Sequence, residues 1–299
     1  MKKNVISSLI LTALFLTGCE DKDGKIAQLQ QTLTQQEQTI NQLNQENTQL
    51  KIELATGKAK IPAVMGEKQV IFEKGENVKF AQKDEFAGDE GVLTYSISTF
   101  KTNIDWLNKA LLQAISLGDD DDNMGDSVEQ LQQVLTKHFE AHKKELAEMP
   151  VSGIDRSSWA NFISQRGKLA LFEVANYAFD GGAHGFGFSQ YWNFDLAQQK
   201  ALKLEDIFEQ AQLEKVKEQL WKRYLEEFKW EESEAFTNKA NFYVSTNFYL
   251  TNDGMTFSYA PYAIAAYAVG QPELSLTWGE LNKLVKPEFK QQGYYSYNE

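Results

Sequence analysis

Cysteine is nearly absent. Cys19 stands alone in 299 residues, so no intramolecular disulfide can form. Histidine is almost as scarce: His138, His142 and His184 are the whole supply, and a zinc centre of the usual Cys and His ligands would consume nearly all of it. Basic residues are outnumbered, 30 Lys and Arg against 42 Asp and Glu, for a net charge of −12. Such a surface repels phosphate backbones and anionic headgroups, which argues against a nucleic-acid partner, and it attracts cationic proteins. The apolar stretch Val5–Leu16 is too short to cross a ~30 Å hydrocarbon layer, which needs roughly 20 residues. The nucleophile-elbow pattern Gly-x-Ser-x-Gly is missing, so one familiar frame for a hydrolytic serine is excluded.

The beginning of the chain is informative. Two lysines, the apolar stretch and then Leu16-Thr17-Gly18-Cys19 describe a secretory signal peptide. The Leu-Thr-Gly-Cys ending resembles the lipobox of bacterial lipoproteins. That resemblance implies removal of residues 1–18 and lipidation of Cys19, with the membrane as a partner through the N-terminal lipid. Two or more acyl chains hold where one is marginal. An ordinary secreted protein with a chance cysteine is the alternative. By resemblance to enterobacterial lipoprotein sorting, Glu20 in place of Asp implies the outer membrane facing the periplasm rather than the inner membrane or the cell surface. Without Lys2 and Lys3 the balance is 28 basic residues against 42 acidic, a net of −14.

A spacer occupies 19–55. Ile26, Leu29, Leu33, Gln36, Ile40, Leu43, Asn47, Leu50 and Leu54 recur at alternating steps of three and four, an unbroken a/d heptad. No Pro or Gly interrupts Lys25–Ala55, which as a helix would reach about 46 Å. Asn47 at an a position favours a parallel pair and fixes its register, at some cost in stability; Gln36 at d weakens the seam. A parallel homo-oligomer through Ile26–Leu54 is the expectation, a solvated single helix the alternative. The linker 56–66, beginning Thr56-Gly57-Lys58, ends the helix.

The head divides into 67–150 and 151–299. Strands are expected at Val70–Phe72 and Val78–Phe80 about a Gly75-Glu76-Asn77 turn, at Val92–Phe100, and near Trp159–Gln165, Lys168–Phe179 and Phe186–Asp195. Helices are expected at Asn103–Leu117, Ser127–Ala147 and Leu204–Phe228. Asn241–Leu250 and Met255–Tyr259 form a hairpin through Thr251-Asn252-Asp253-Gly254, whose Asp-Gly is a strong turn signal. The fold class is α+β: an antiparallel or mixed sheet with packed helices, preceded by an N-terminal coiled-coil helix.

One turn gathers the unusual residues. Asp180-Gly181-Gly182-Ala183-His184-Gly185-Phe186 lies between aromatic-rich strands, and its glycines release φ where a Cβ would restrict it. Tyr177 three residues ahead of Asp180-Gly181-Gly182-Ala183-His184-Gly185 gives Y-x-x-x-GGAHG. Asn193-Phe194-Asp195, Leu202-Lys203-Leu204-Glu205-Asp206-Ile207-Phe208, Asn247-Phe248-Tyr249-Leu250 and Tyr259-Ala260-Pro261-Tyr262-Ala263-Ile264-Ala265-Ala266-Tyr267 follow in order. This series resembles the extracytoplasmic domain of the anti-sigma-V (RsiV) family, also found ahead of the catalytic domain in some peptidoglycan deacetylases. The resemblance spans about Asp155–Thr277, with a weaker half from Gln69 to Leu146. Ala263 replaces the family's Glu, and Ala266 a Pro. The resemblance implies a non-catalytic module that binds lysozyme; the sigma-binding segment, membrane helix and metal-binding catalytic domain of those relatives are not in this sequence.

The rest of the chemistry is thin. Asp180 and Asp195 bracket the turn and could orient the His184 imidazole, or His184 simply closes a glycine-rich turn. His138 and His142 stand four apart on an expected helix, the spacing for one ion, but His142 falls on the apolar face of Leu131, Leu135, Phe139 and Leu146 and reads better as a core-edge residue. Asp119–Asp126 resembles a calcium loop loosely: Met124 replaces the glycine of position six and Gln130 the glutamate of position twelve. Asp126 or Ser127 capping the next helix accounts for it. No metal, cofactor or catalytic residue is assigned. The expected site is Asp180, Gly181, Gly182, His184 and Phe186 together with Tyr259, Tyr262 and Tyr267, binding a cationic protein such as lysozyme, or peptidoglycan. A cell-wall hydrolase and a structural envelope spacer are the alternatives.

Overall fold

The computed structural model describes residues 22–55, 61–84, 88–115, 125 and 127–291. The expected signal segment, Cys19, residues 56–60 of the expected linker and the acidic run 119–124 lie outside them, as does Asp126. The chain divides into two units, Met1–Lys60 and Ile61–Glu299. The first carries α1 (Lys22–Ala55), whose described side chains are all exposed. No helix among the described residues is long and apolar enough to cross a membrane.

The second unit is α+β, with two sheets. β1 (Gly66–Asp84), β2 (Gly88–Thr102), β3 (Gly153–Arg166), β4 (Leu169–Phe179), β5 (Phe186–Asp195) and β6 (Lys200–Ala201) form a six-stranded sheet in chain order. Neighbours are antiparallel except β2 and β3, which run parallel. A parallel pair needs a long crossover. Here α2 (Asp105–Ala114) and α3 (Val128–Glu148) lie within it. α4 (Leu204–Ile207) and α5 (Gln210–Phe228) lead to a three-stranded antiparallel sheet of β7 (Phe248–Leu250), β8 (Gly254–Ser258) and β9 (Glu273–Thr277), followed by α6 (Trp278–Leu281).

Both crossover helices cover one face of the larger sheet. Leu107 and Leu111 of α2 pack with Ala160, Phe172, Val174 and Phe194. Leu131, Leu135, Phe139 and Leu146 of α3 pack with Ile71, Leu93, Tyr95 and Ile97. Tyr95 and Phe139 meet edge to face at 5.4 Å, and the Tyr95 hydroxyl bonds His142 Nδ1 at 2.7 Å. His142 therefore sits at the core edge, as its place on the helix implies. A third cluster joins Val216, Leu220, Trp221 and Tyr224 of α5 to Phe248, Met255, Phe257, Leu274 and Leu276 of the small sheet. Each such side chain contributes roughly 1.5–3 kcal/mol on leaving water.

Three elements depart from the sequence pattern, each because pairing overrides local preference. Gly75-Glu76-Asn77 makes no turn; it continues a single β1 opposite Thr94, Leu93 and Val92. That strand is the sheet edge, and its alternating Glu and Lys discourage pairing with another chain. The helix expected from Leu204 breaks at Phe208, which turns extended to bridge Val285 while Lys286 N–H bonds Ile207 O at 2.8 Å. Only Phe248–Leu250 of the expected strand 241–250 pairs, with Leu250 opposite Met255. Ser127 does cap α3, its Oγ accepting from Gln130 N–H at 3.2 Å.

Candidate functional site

The β4–β5 turn is fastened from β3. Arg156, with only 6% of its side chain exposed, donates through Nη1 to Phe179 O at 3.1 Å and through Nη2 to Asp180 Oδ1 at 2.6 Å. Gly181 then adopts φ +72 and presses against Val151, so close that a Cβ would sit 2.3 Å from that side chain. Both conditions require glycine. Gly185 lies under the Tyr177 ring, where a Cβ would meet the hydroxyl at 2.3 Å. The tyrosine and the last glycine of the motif are thus one packing unit.

His184 is bound on two sides. Its Nδ1 bonds Gly185 O at 3.0 Å, so Nδ1 carries the hydrogen, because a carbonyl only accepts. Its ring stacks on Tyr267, centroids 4.0 Å apart at 23°. Tyr267 donates its hydroxyl to the same Gly185 O at 2.5 Å, and Tyr262 lies 5.3 Å beyond. The structure therefore brings together His184, Gly185, Tyr177, Tyr262 and Tyr267, with Phe186 exposed alongside. Two expected partners are elsewhere. Asp180 is taken by Arg156; Asp195 is fully buried, pairs with Lys168 Nζ at 2.8 Å and accepts the N–H groups of Ala197 and Gln198. Neither carboxylate orients His184. Tyr259 is core rather than surface: it is 1% exposed, its hydroxyl donates to Tyr243 O at 3.0 Å, and burial pushes its pKa well above the usual phenol range.

From the turn, the face of the sheet away from α2 and α3 carries large, partly exposed side chains between smaller buried ones such as Ser98 and Ala175. Registers place Val70, Ser98, Trp159, Ala175 and Ser189 in one cross-strand row. Alternation puts Asn161, Glu173, Tyr177 and Tyr191 on the same side. Glu173 accepts from Ser189 Oγ at 2.5 Å and from Asn161 Nδ2 at 3.2 Å. Tyr191 and Tyr249 rings lie 4.3 Å apart, and Tyr249 donates to Glu273 Oε2 at 3.0 Å. Burial, then the charges of Glu273 and Glu173, push the Tyr191 phenol far above its ordinary range. Burial and Glu273 raise Tyr249 as well. Among the described residues no Lys or Arg pairs with Glu173 or Glu273. Trp159 and Tyr177, 39% and 38% exposed, are large rings on this open surface.

Amide side chains hold the small sheet to β5. Asn247 accepts from Tyr191 N–H at 2.7 Å and donates to Ser189 O at 2.8 Å. Gln271 accepts from Ser189 N–H and donates to Ser189 O, both at 2.7 Å. Asn193 donates to Phe248 O at 2.7 Å and accepts from Leu250 N–H at 3.0 Å. The free edge of β5 is satisfied by side chains in place of a neighbouring strand. Sequence reasoning noticed Asn193 and Asn247 as motif positions without their task, and missed Glu173, Tyr191, Glu273 and Gln271 because nothing local marks them. Among the described residues no group of three His, Cys, Asp or Glu side chains could hold a metal ion.

The class that emerges is an α+β fold of two sheets presenting an aromatic, acidic face. A family model described as "Protein of unknown function (DUF3298)" matches residues 195–279. The chain is similar to the crystal structure of a DUF3298-family member from Bacteroides fragilis, with TM-score 0.57 and 19% identity, over 74% of this chain and 94% of that one. It is also similar to that of a DUF3298-family protein from Pseudomonas aeruginosa, with TM-score 0.51 and 22% identity, over 77% of this chain and 97% of that one. At these identities the likeness is one of fold. No curated protein matches the sequence.

Proposed function

We propose that this chain is a lipid-anchored cell-envelope protein, held through Cys19, whose head binds a cationic protein ligand on its open sheet face and carries no catalysis. The observation that supports this most is the pair Glu173 and Glu273, without a basic partner among the described residues and flanked by the Tyr191 and Tyr249 rings, 4.3 Å apart and tilted at 46°. Carboxylates beside aromatic faces suit ammonium and guanidinium groups, which gain from both charge and ring. The excess of acid over base adds long-range attraction for a positive partner. Trp159, Tyr177 and Phe186 supply the apolar contact that such an interface needs at its centre. The resemblance to the RsiV-type domain points to lysozyme as the first ligand to try.

Calorimetry of the non-acylated chain with lysozyme tests the reading. Saturable binding that weakens as salt rises is expected, and Glu173→Gln with Glu273→Gln should lose at least about tenfold in affinity. Absence of heat at low salt would remove the cationic-protein reading. Salt-insensitive binding of muropeptides would replace it with a wall-glycan reading, and turnover of wall fragments that disappears in His184→Ala would make the head a hydrolase.

A further inference from the structure

α1 is a helix with an apolar seam that no other element of its own unit covers among the described residues. Leu29, Leu33, Ile40 and Leu43 are 69%, 57%, 56% and 53% exposed, although they are the large apolar side chains of its described stretch. Helices in proteins draw most of their stability from packing such a face. This one also carries residues that favour it little: Thr32, Thr34, Thr39 and Thr48 turn their hydroxyls back to the carbonyls four residues earlier, which slightly destabilises a helix. The unit has no second element among the described residues to cover the seam.

We infer that the missing cover is α1 of a second copy of this chain, parallel and in register. The heptad decides among occupants. Positions a hold Ile26, Leu33, Ile40, Asn47 and Leu54, and positions d hold Leu29, Gln36, Leu43 and Leu50. The β-branched Ile26 and Ile40 at a, with leucine at three of the four d positions, suit two strands. Parallel, in-register pairing sets Asn47 against Asn47, so the two amides satisfy each other; a parallel pairing shifted by a heptad buries each against an apolar side chain, and an antiparallel one sets Asn47 against Gln36, so the flanking charges must choose between directions. Gln36 meets Gln36 by the same symmetry. The flanking positions agree. Glu46 at g stands opposite Lys51 at the following e of the other strand only in the parallel arrangement, and Thr32 with Glu37 and Thr39 with Asn44 bring no like charges together. The pairing needs nothing from the head and is independent of what the head binds.

The single cysteine makes a direct test possible. In full-length Cys19→Ser protein, Leu43→Cys places one thiol at d, and Gln45→Cys places one on the outer face. Mild oxidation is expected to link Leu43→Cys chains into dimers and to leave Gln45→Cys chains largely single, because only facing d positions approach within disulfide reach. Sedimentation equilibrium of Cys19→Ser protein should give twice the chain mass, and Leu33→Asp with Leu43→Asp should give one. Near-ultraviolet circular dichroism of the head serves as the folding control for that variant, and Leu43→Cys keeps the test open if it misfolds. A single-chain or triple mass for Cys19→Ser protein, or equal linking at positions 43 and 45, would overturn the inference.

Discussion

The two faces of the six-stranded sheet come from alternate residues of the same strands, yet they differ in kind. On the covered face Phe172, Val174 and Phe194 are fully buried against α2, and Tyr95 against α3. On the other, Trp159, Glu173, Tyr177 and Tyr191 remain accessible in part, interleaved with Asn161 and Ser189. The covered face is what a stable sheet requires. The open one differs: a solvated face is served by Thr, Ser and Lys, whereas rings grouped on an exposed surface are the kind of patch that partners cover. Under the proposed function, stability and recognition are separated by the two-residue period of a strand.

Substitutions should therefore sort by face. Phe172→Ala on the covered side removes a ring packed on Phe100, Phe162 and Phe194, and should cost about 3–5 kcal/mol in denaturant unfolding. A smaller, pH-marked effect is expected at the start of α4, where it calibrates the scale. Burial alone would raise the Asp206 pKa, but its ion pair with Lys200 and its bond from Lys203 N–H outweigh that and leave it below the usual carboxylate value. A group whose pKa is lowered by folding stabilises above its unfolded value of 3.8 and loses that contribution as pH falls through the folded one. Asp206→Asn should thus cost about 1 kcal/mol at pH 7, and the gap from the parent should close towards pH 3. The smallest stability change belongs to the open face: Trp159→Ala should move unfolding by no more than about 0.5 kcal/mol while weakening ligand binding. A large loss of stability in Trp159→Ala would break the division between the faces.

The sequence exposes these features unevenly. The α+β class, the hairpin into β8, the ends of β5 and the heptad of α1 are all written in local patterns, period two or period three and four, and the structure has elements where those patterns lie. β1 looked interrupted because Gly75-Glu76-Asn77 is turn-like alone, and only pairing with β2 makes it strand. The break at Phe208 depends on Val285, nearly eighty positions later in the chain. The site was legible in part. Gly181, Gly185 and His184 announce a turn, and Tyr262 and Tyr267 join it as expected. Tyr259 does not, because it directly follows β8 with its ring in the core, whereas Tyr262 lies three residues on, beyond Pro261, and is exposed. Glu173 and Glu273 were invisible for a simpler reason: in a chain rich in acid, only the fold reveals which carboxylates gather about Tyr191.

Hydroxyl-radical footprinting of the head with and without lysozyme tests the central claim most directly, since it reads side-chain access residue by residue. Protection of Trp159, Tyr177 and Tyr191, with oxidation of the exposed Met65 unchanged, is the expected outcome. Unaltered oxidation of those three rings in a mixture that does bind would contradict the account.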